Sequence, residues 1–321
     1  MPVLSMITKN SWSRCSDILL RVLESTLQIP YNAFILVDDG DDETRRVVEE
    51  WCMKYNKEIV YLRSNLYGYH RPTRATARQT AIDFFLKSFN DEWLMFIDDD
   101  AVLRDGWWRW IEENRVLSNP SVGEIWGINW DSSPEREKFL GFFGIKLEDY
   151  LVKKFHERGG THDTLYRRNA LDGIKIPPEL HVYEDAYIHF YVSCRGWISI
   201  INPIGVTHYH PASTYTDLKH EKEKAKIAIE IALKYGICEY ENAKVINEGV
   251  EKRVLAYLSL VRPILGFPPM LLTTMRVYGL KTGIVEAFKR QYLKLWFRWQ
   301  VLKYVNNVKE IPSPCEAILN R

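Results

Sequence analysis

Five apolar runs punctuate the first 130 residues, at 3–8, 32–37, 58–62, 92–97 and 121–130. Between them, apolar positions recur at helical spacing. Ile18, Leu19, Val22, Leu23 and Leu27 follow Ser13, a capping residue type. A second helical stretch runs to Tyr55 behind Asp41 or Asp42, a third spans 73–89, and a short fourth spans 106–114. Strand alternating with helix predicts an α/β fold: a mostly parallel central sheet flanked by helices.

The rhythm breaks between 131 and 178, where Gly159-Gly160, Asp172-Gly173 and Pro177-Pro178 predict mixed structure and a mobile loop. It resumes with a helix over 184–194, a strand over 197–202, the segment 206–211 and a charged helix over 217–235. The apolar run 254–261 is followed by Arg262-Pro263 and Pro268-Pro269, so no stretch reaches the roughly 20 apolar residues of a spanning helix. Residues 284–305 read as a basic amphipathic helix. Phe288, Tyr292, Leu295, Trp296 and Trp299 share one broad face, and Lys289, Arg290, Lys294, Arg298 and Lys303 supply charge.

Composition adds three points. The 321 residues are 46% hydrophobic, enough for one large domain with an appendage. The net charge of +1 hides an asymmetry: residues 252–309 hold 11 Lys/Arg against the one acid Glu286, so the remainder is acidic. Such a basic tail, rich in Trp, suits a peripheral membrane surface. Five scattered cysteines without CxxC spacing read as reduced thiols of a cytoplasmic protein. The opening run of 1–7 is too short and lacks the basic start of a signal peptide.

The chemistry collects at strand ends. Phe34-Ile35-Leu36-Val37 runs into Asp38-Asp39-Gly40, and Trp93-Leu94-Met95-Phe96-Ile97 runs into Asp98-Asp99-Asp100. Crowded carboxylates repel, and a divalent metal carrying phosphates is the usual way to offset that. If the strand continues, Asp98 and Asp100 point to one side and Asp99 to the other. Glu184-Asp185 opens a helix, and His208 and His210 follow a late strand.

Six segments, in order, carry a resemblance: Ser5-Met6-Ile7-Thr8-Lys9-Asn10, Ile35-Leu36-Val37-Asp38-Asp39-Gly40, Asn65-Leu66-Tyr67-Gly68, Ala75-Thr76-Ala77-Arg78-Gln79, Phe96-Ile97-Asp98-Asp99-Asp100 and Tyr183-Glu184-Asp185. Together the chain resembles a family-2 glycosyltransferase of the GT-A (Rossmann-like) fold. The resemblance covers roughly residues 3–210. It implies a GT-A domain over 1–235, with a nucleotide-binding half (1–130) and an acceptor-binding half (131–235), and a helical C-terminal region over 236–321.

The resemblance also implies roles. Thr8, Asn10, Asp38, Asp39, Arg78, Asp98 and Asp99 would contact a UDP- or GDP-linked sugar. Asp100, Asp98 and His208 would hold Mn²⁺ or Mg²⁺ against the diphosphate. Asp185 would be the general base of an inverting transfer, with Glu184 beside it orienting the acceptor. The acceptor would be a glycan or lipid-linked hydroxyl or phosphate, with no nucleic acid partner. Arg71 and Arg74 are further candidates for phosphate. The loop from His156 to Arg168 is placed to gate the acceptor site, with Arg167 and Arg168 available for an acceptor phosphate. Gln79 stands where the family usually has Asn. Arg298-Trp299 lacks the preceding Gln of the processive synthases, so the enzyme reads as non-processive.

Two other readings compete. Asp98-Asp99-Asp100-Ala101-Val102 also fits a haloacid-dehalogenase-like phosphatase, with Asp98 as nucleophile and Asp100 as acid. That strand usually comes first in such a core; here three precede it, and Asp38-Asp39 would have no role. A non-catalytic scaffold on membrane or nucleic acid would use the basic tail, but the intact acids count against it.

Overall fold

In the computed structural model, the described residues are 1–131, 137, 140–142, 144–209, 217–237, 261–305 and 310–320. The chain divides into two compact units. The first comprises Met1–Ser132 and Gly159–Pro211, and the second Ser133–Arg158 and Ala212–Arg321. This groups 133–158 and 212–235 with the C-terminal helices, whereas the sequence reading set its boundary at 235.

The first unit is built on one sheet of eight strands: β1 (Pro2–Thr8), β2 (Ala33–Asp38), β3 (Glu58–Leu62), β4 (Trp93–Phe96), β5 (Ala101–Leu103), β6 (Val122–Asp131), β7 (Leu165–Arg167) and β8 (Ile198–His208). Their order is β3-β2-β1-β4-β7-β6-β8-β5. The first four run parallel, as do β6 and β8; β7 is antiparallel to β4 and β6, and β5 is antiparallel to β8. The α-helices of its first segment are α1 (Ser11–Ser25), α2 (Thr44–Lys54), α3 (Arg74–Ser88) and α4 (Trp107–Glu113).

Strands β2 and β4 are buried at every position, which is why their sequences are unbroken apolar runs rather than alternating ones. A core of Leu4, Met6, Leu19, Leu36, Trp51, Met95 and Trp107 joins sheet and helices. Parallel pairing aligns the carboxyl ends: Thr8 lies opposite Asp38, and Ser5 opposite Phe96. The crevice beyond such ends is where ligands of open α/β sheets bind.

The helix starts are fixed by local polar contacts. Thr73 accepts the Thr76 N–H at 3.1 Å while the Thr76 hydroxyl accepts the Thr73 N–H at 2.8 Å, a capping box opening α3. Asp42 accepts the Thr44 N–H at 3.0 Å and the Ser13 N–H at 2.7 Å, so one carboxylate serves the starts of both α1 and α2. Ser13, expected to cap α1, lies inside that helix.

Several expectations need correction. Residues 147–158 form a helix, α5 (Leu147–Arg158), in a region expected to be mixed. Residues 161–167 are buried and lead into β7, so this part of the expected mobile loop belongs to the core. Gly159 is there for close approach: at φ +70° a Cβ on it would stand 2.4 Å from the His189 Cβ. After the short α6 (Arg168–Leu171) comes α7 (Glu184–Cys194). Strand β8 is continuous to His208 although Pro203 interrupts the pattern. The Asn202 side chain accepts the Ile204 N–H at 3.0 Å, and a register shift at Gly127/Asn129 of β6 absorbs the irregularity. Cys15 and Cys52 are buried free thiols, but Cys194 is disulfide-bonded, against the expectation of reduced cysteines; Cys238 lies outside the described residues.

The second unit holds α5, α8 (Leu218–Tyr235), α9 (Val261–Leu265), α10 (Phe267–Tyr278), α11 (Leu280–Val305) and α12 (Pro314–Leu319). Its small core joins α8 to α11 through Ile229, Ala232, Phe297 and Val301. Among the described residues, no helix is long and apolar enough to cross a membrane. The apolar run 254–261 lies almost wholly outside them.

Candidate active site

The acidic triplet does not continue β4. The Ala101 N–H donates to the Asp98 carbonyl at 3.3 Å, closing a turn that leads directly into β5. The turn sends the three carboxylates to three different partners. Asp98 is ion-paired with Arg78 on α3. Asp99 accepts from the Ser11 hydroxyl and from Arg14, both at the start of α1. Asp100 meets His208 Nε2 at 2.9 Å. The alternation expected of a continuing strand, with Asp98 and Asp100 acting together, is replaced by this division.

Arg78 is only 2% exposed. Its guanidinium lies 4.5 Å from the Phe96 ring centroid and donates to Asp98 through Nη2, while Nε and Nη1 have no hydrogen-bond partner. A buried guanidinium with two unsatisfied nitrogens is costly unless something anionic completes it. Burial alone would push the Asp98 carboxyl up. The charge of Arg78, followed by His162, His208 and Arg74, outweighs it and holds Asp98 below the usual carboxylate range. Asp99 goes the other way, because burial exceeds the help it gets from Arg14.

His208 is placed by the β5–β8 ladder, in which Ala101 lies opposite His208. Its Nδ1 contacts the Asn129 side chain at 2.9 Å, and its ring lies 6.1 Å from that of His162. The His162 carbonyl accepts the Asp98 N–H at 3.1 Å, and the His162 ring sits 3.2 Å from both Asp163 and the Gly127 carbonyl. Asp163 is fully buried and accepts the Trp107 indole N–H at 2.7 Å. Neither Asn129 nor His162 was picked out from the sequence. The available signal was the run Thr161-His162-Asp163-Thr164, polar without Lys or Glu, wedged between a Gly pair and the apolar Leu165-Tyr166.

The acidic end of β2 is arranged differently. The Asp38 Oδ1 accepts the Thr8 hydroxyl at 2.8 Å and the Gly40 N–H at 2.9 Å, in a side chain 1% exposed. Asp39 takes the Ser64 N–H at 3.0 Å and the Ser64 hydroxyl at 2.5 Å. Asn10, left-handed at φ 57°, accepts the Asp41 N–H at 2.8 Å. Thr8, Asn10, Asp38 and Asp39 thus converge on one strand-end cluster.

Glu184 and Asp185 open α7 behind Tyr183, which is left-handed at φ 71°. Glu184 is 3% exposed. Burial, and then the neighbouring Asp185 charge, push its carboxyl up to about 7, against the pull of Arg74 and Arg78. Arg74 answers from its own side. The Glu184 charge outweighs burial, and Asp98, Asp185 and Asp100 add to it, raising the guanidinium. The first turn of α3 and that of α7 therefore share one electrostatic field with the acidic triplet.

Arg167 and Arg168 do not fit an acceptor phosphate. Arg167 donates to the Val122, Leu117 and Asn119 carbonyls and pairs with Glu92. Arg168 donates to the carbonyls of Phe85, Leu86, Phe89 and Asp91. Both are committed to closing the backbone around β7 and the end of α3. His210, the second histidine candidate, lies outside the described residues.

Solved structures are similar to this chain as a whole. The mannosyltransferase PcManGT from Pyrobaculum calidifontis, in complex with GDP-Man and Mn²⁺, is 16% identical with a TM-score of 0.51, covering 99% of this chain and 79% of that one. TarS 1-349 of S. aureus is 16% identical with a TM-score of 0.48, covering 96% and 92%. Glucosyl-3-phosphoglycerate synthase from Mycobacterium tuberculosis, in complex with UDP, is 13% identical with a TM-score of 0.45, covering 72% and 79%. At such identities the first likeness shows the fold alone. No curated protein sequence matches the chain. Residues 4–171, just over half of the chain, match the family described as Glycosyl transferase family 2. With the GT-A-like sheet and its acidic strand ends in place, the chain belongs to glycosyl transferase family 2.

Proposed function

We propose that this glycosyltransferase is metal-dependent and inverting, and moves a hexose from a UDP- or GDP-linked sugar to a glycan or lipid-linked acceptor. The observation that carries the reading is the buried Arg78. Held by Asp98, it keeps two nitrogens unsatisfied beside the turn that presents Asp100 to His208 of β8. Those nitrogens suit the oxygens of a diphosphate.

Among the described residues, no group of three or more His, Cys, Asp or Glu side chains is arranged to hold a metal ion. Asp100 and His208 nonetheless form a fitting pair. This carboxylate and imidazole, 2.9 Å apart, would suit Mn²⁺ better than Mg²⁺, which prefers oxygen ligands, and the bound cation would supply positive charge toward the diphosphate. Asp98 has its charge answered by Arg78 and serves as that arginine's anchor. Charge gathering on the departing diphosphate is what a cation at this pair would offset. The Asn129 amide, 2.9 Å from His208 Nδ1, orients the imidazole ring.

The strand-end cluster of Thr8, Asn10, Asp38 and Asp39 receives the nucleoside. Asp39, less buried than Asp38, is assigned the base contact, and Asp99 the ribose or sugar. Asp185 takes the proton from the acceptor hydroxyl as it attacks the anomeric carbon. Glu184, holding its own proton near neutrality, orients the acceptor.

The test separates chemistry from binding. Asp185→Asn is expected to lower turnover about 10³-fold while leaving donor affinity within a few-fold. Donor binding is read as the thermal shift produced by UDP- and GDP-sugars with Mn²⁺. Loss of donor binding in step with turnover would remove Asp185 from the base role. Failure of every nucleotide sugar to shift the melting temperature would overturn the donor assignment.

A further inference from the structure

Helix α11 turns its apolar face outward. Ile284, Phe288 and Tyr292 recur every fourth residue, with Val285 beside the first and Trp299 two turns beyond the last, which places them on one side of the helix. Phe288 is 58% exposed and Trp299 52%, while Ala287, Phe297 and Val301 on the opposite side are buried. A surface helix that buries one apolar side ordinarily carries polar residues on the other. On α10, Leu272 is also exposed. An uncovered aromatic and aliphatic patch of this kind marks an interaction surface.

Charge identifies what fits it. Exposed lysines stand at both ends of the face, Lys281 and Lys303. Lys222 of α8 adds a third cation, with its ammonium 4.5 Å from the Tyr292 ring centroid. Between residues 267 and 305 the sequence has seven Lys/Arg and one acid, Glu286. That acid is 1% exposed and sits 3.1 Å from Lys289. The outward face therefore carries aromatics and positive charge with no exposed acid on its own helix or on α10. Two copies of this face would bring lysine against lysine, so self-association is disfavoured.

We propose that the outward face of α11 docks the protein on an anionic lipid surface. The helix lies flat. Phe288, Tyr292 and Trp299 enter the headgroup boundary, and Lys281, Lys303 and Lys222 meet lipid phosphates. Residues with an apolar body and a polar tip, such as Tyr and Trp, suit that depth. The inference is independent of the transferase reading, because none of these residues belongs to the candidate active site.

The experiment is co-sedimentation of the full chain with two sets of vesicles: phosphatidylcholine alone, and phosphatidylcholine with about a third phosphatidylglycerol. Partitioning is expected on the anionic vesicles and to weaken as salt rises. Phe288→Ser with Trp299→Ser is expected to lower it about tenfold, at unchanged melting temperature and unchanged donor binding. A second variant, Lys281→Glu with Lys303→Glu, touches only exposed side chains and is expected to abolish the preference for anionic lipid. Equal partitioning of the wild type on both vesicles, or of the serine variant and the wild type on anionic ones, would overturn the proposal. So would sedimentation velocity showing a lipid-free dimer that the serine variant dissolves, which would assign the face to a second copy.

Discussion

The ends of β2 and β4 look alike in sequence and differ in what their acids face. Both are apolar runs closed by adjacent aspartates. At the end of β2, Asp38 and Asp39 accept from Thr8, Gly40 and Ser64, all neutral donors of the same cluster. At the end of β4, Asp98, Asp99 and Asp100 face Arg78, Arg14 and His208. Neutral donors fix a carboxylate in place and offer no cation to a phosphate. Charged partners with unfilled valence, such as the two nitrogens of Arg78, are incomplete until a ligand arrives. An acidic strand end is thus read for chemistry by its partners, not by its carboxylate count.

The largest effect expected from this contrast is at Asp100. Asp100→Asn should lower kcat/KM about 10³-fold and weaken Mn²⁺ binding, read by electron paramagnetic resonance, while moving the melting temperature little. If metal affinity stays put, the β4 end is no more chemical than the β2 end.

Next comes a pH effect on stability. Glu184 has a folded pKa of about 7 against an ordinary value of 4.5. The native state therefore keeps a proton that the unfolded chain loses between pH 4.5 and about 7. Stability from this group is full below the lower value, falls as pH rises through the interval, and is gone above it, a loss on the order of 3 kcal/mol. Glu184→Gln should flatten that stretch of the stability curve measured by urea unfolding. An unchanged slope would show that Glu184 is not the group responsible.

The smallest effect is at the other end of the comparison. Asp38→Ala orphans the Thr8 hydroxyl and the Gly40 N–H, and should cost about 2 kcal/mol of stability. Turnover at saturating donor should stay within a few-fold. A rise in donor KM without loss of stability would show that Asp38 touches the nucleoside directly and does not act through Thr8 and Gly40.

How far the sequence carried differs by element, for physical reasons. Strands β1, β2 and β4 were legible because burial on both faces demands unbroken apolar runs. The start of α3 was legible because Thr73 is a good capping residue. Strands β5 and β7 were not, since three residues show no period. Arg78, Asp98 and Glu184-Asp185 were legible as a motif set, but the division of the triplet among three partners was not. It depends on a turn whose partners come from α1, α3 and β8. Asn129 and His162 depend on how β6, β7 and β8 meet, which no local pattern carries. Arg167 and Arg168 looked available because their acceptors are backbone carbonyls distant in sequence. The apolar face of α11 was legible as a stripe, yet only the structure shows which way it turns.

Strand β5 has only three residues, and Ala101 lies opposite His208 across its ladder with β8. Asp100 immediately precedes that rung, and its carbonyl accepts the Tyr209 N–H at 2.8 Å. The spacing of this carboxylate and imidazole is therefore set by main-chain hydrogen bonds, much as tooth spacing is set by a zip. Slippage by one residue would turn His208 to the opposite face of the sheet. Insertions or deletions near residues 101–103 or 206–208 should accordingly disable the pair more thoroughly than most side-chain replacements around it.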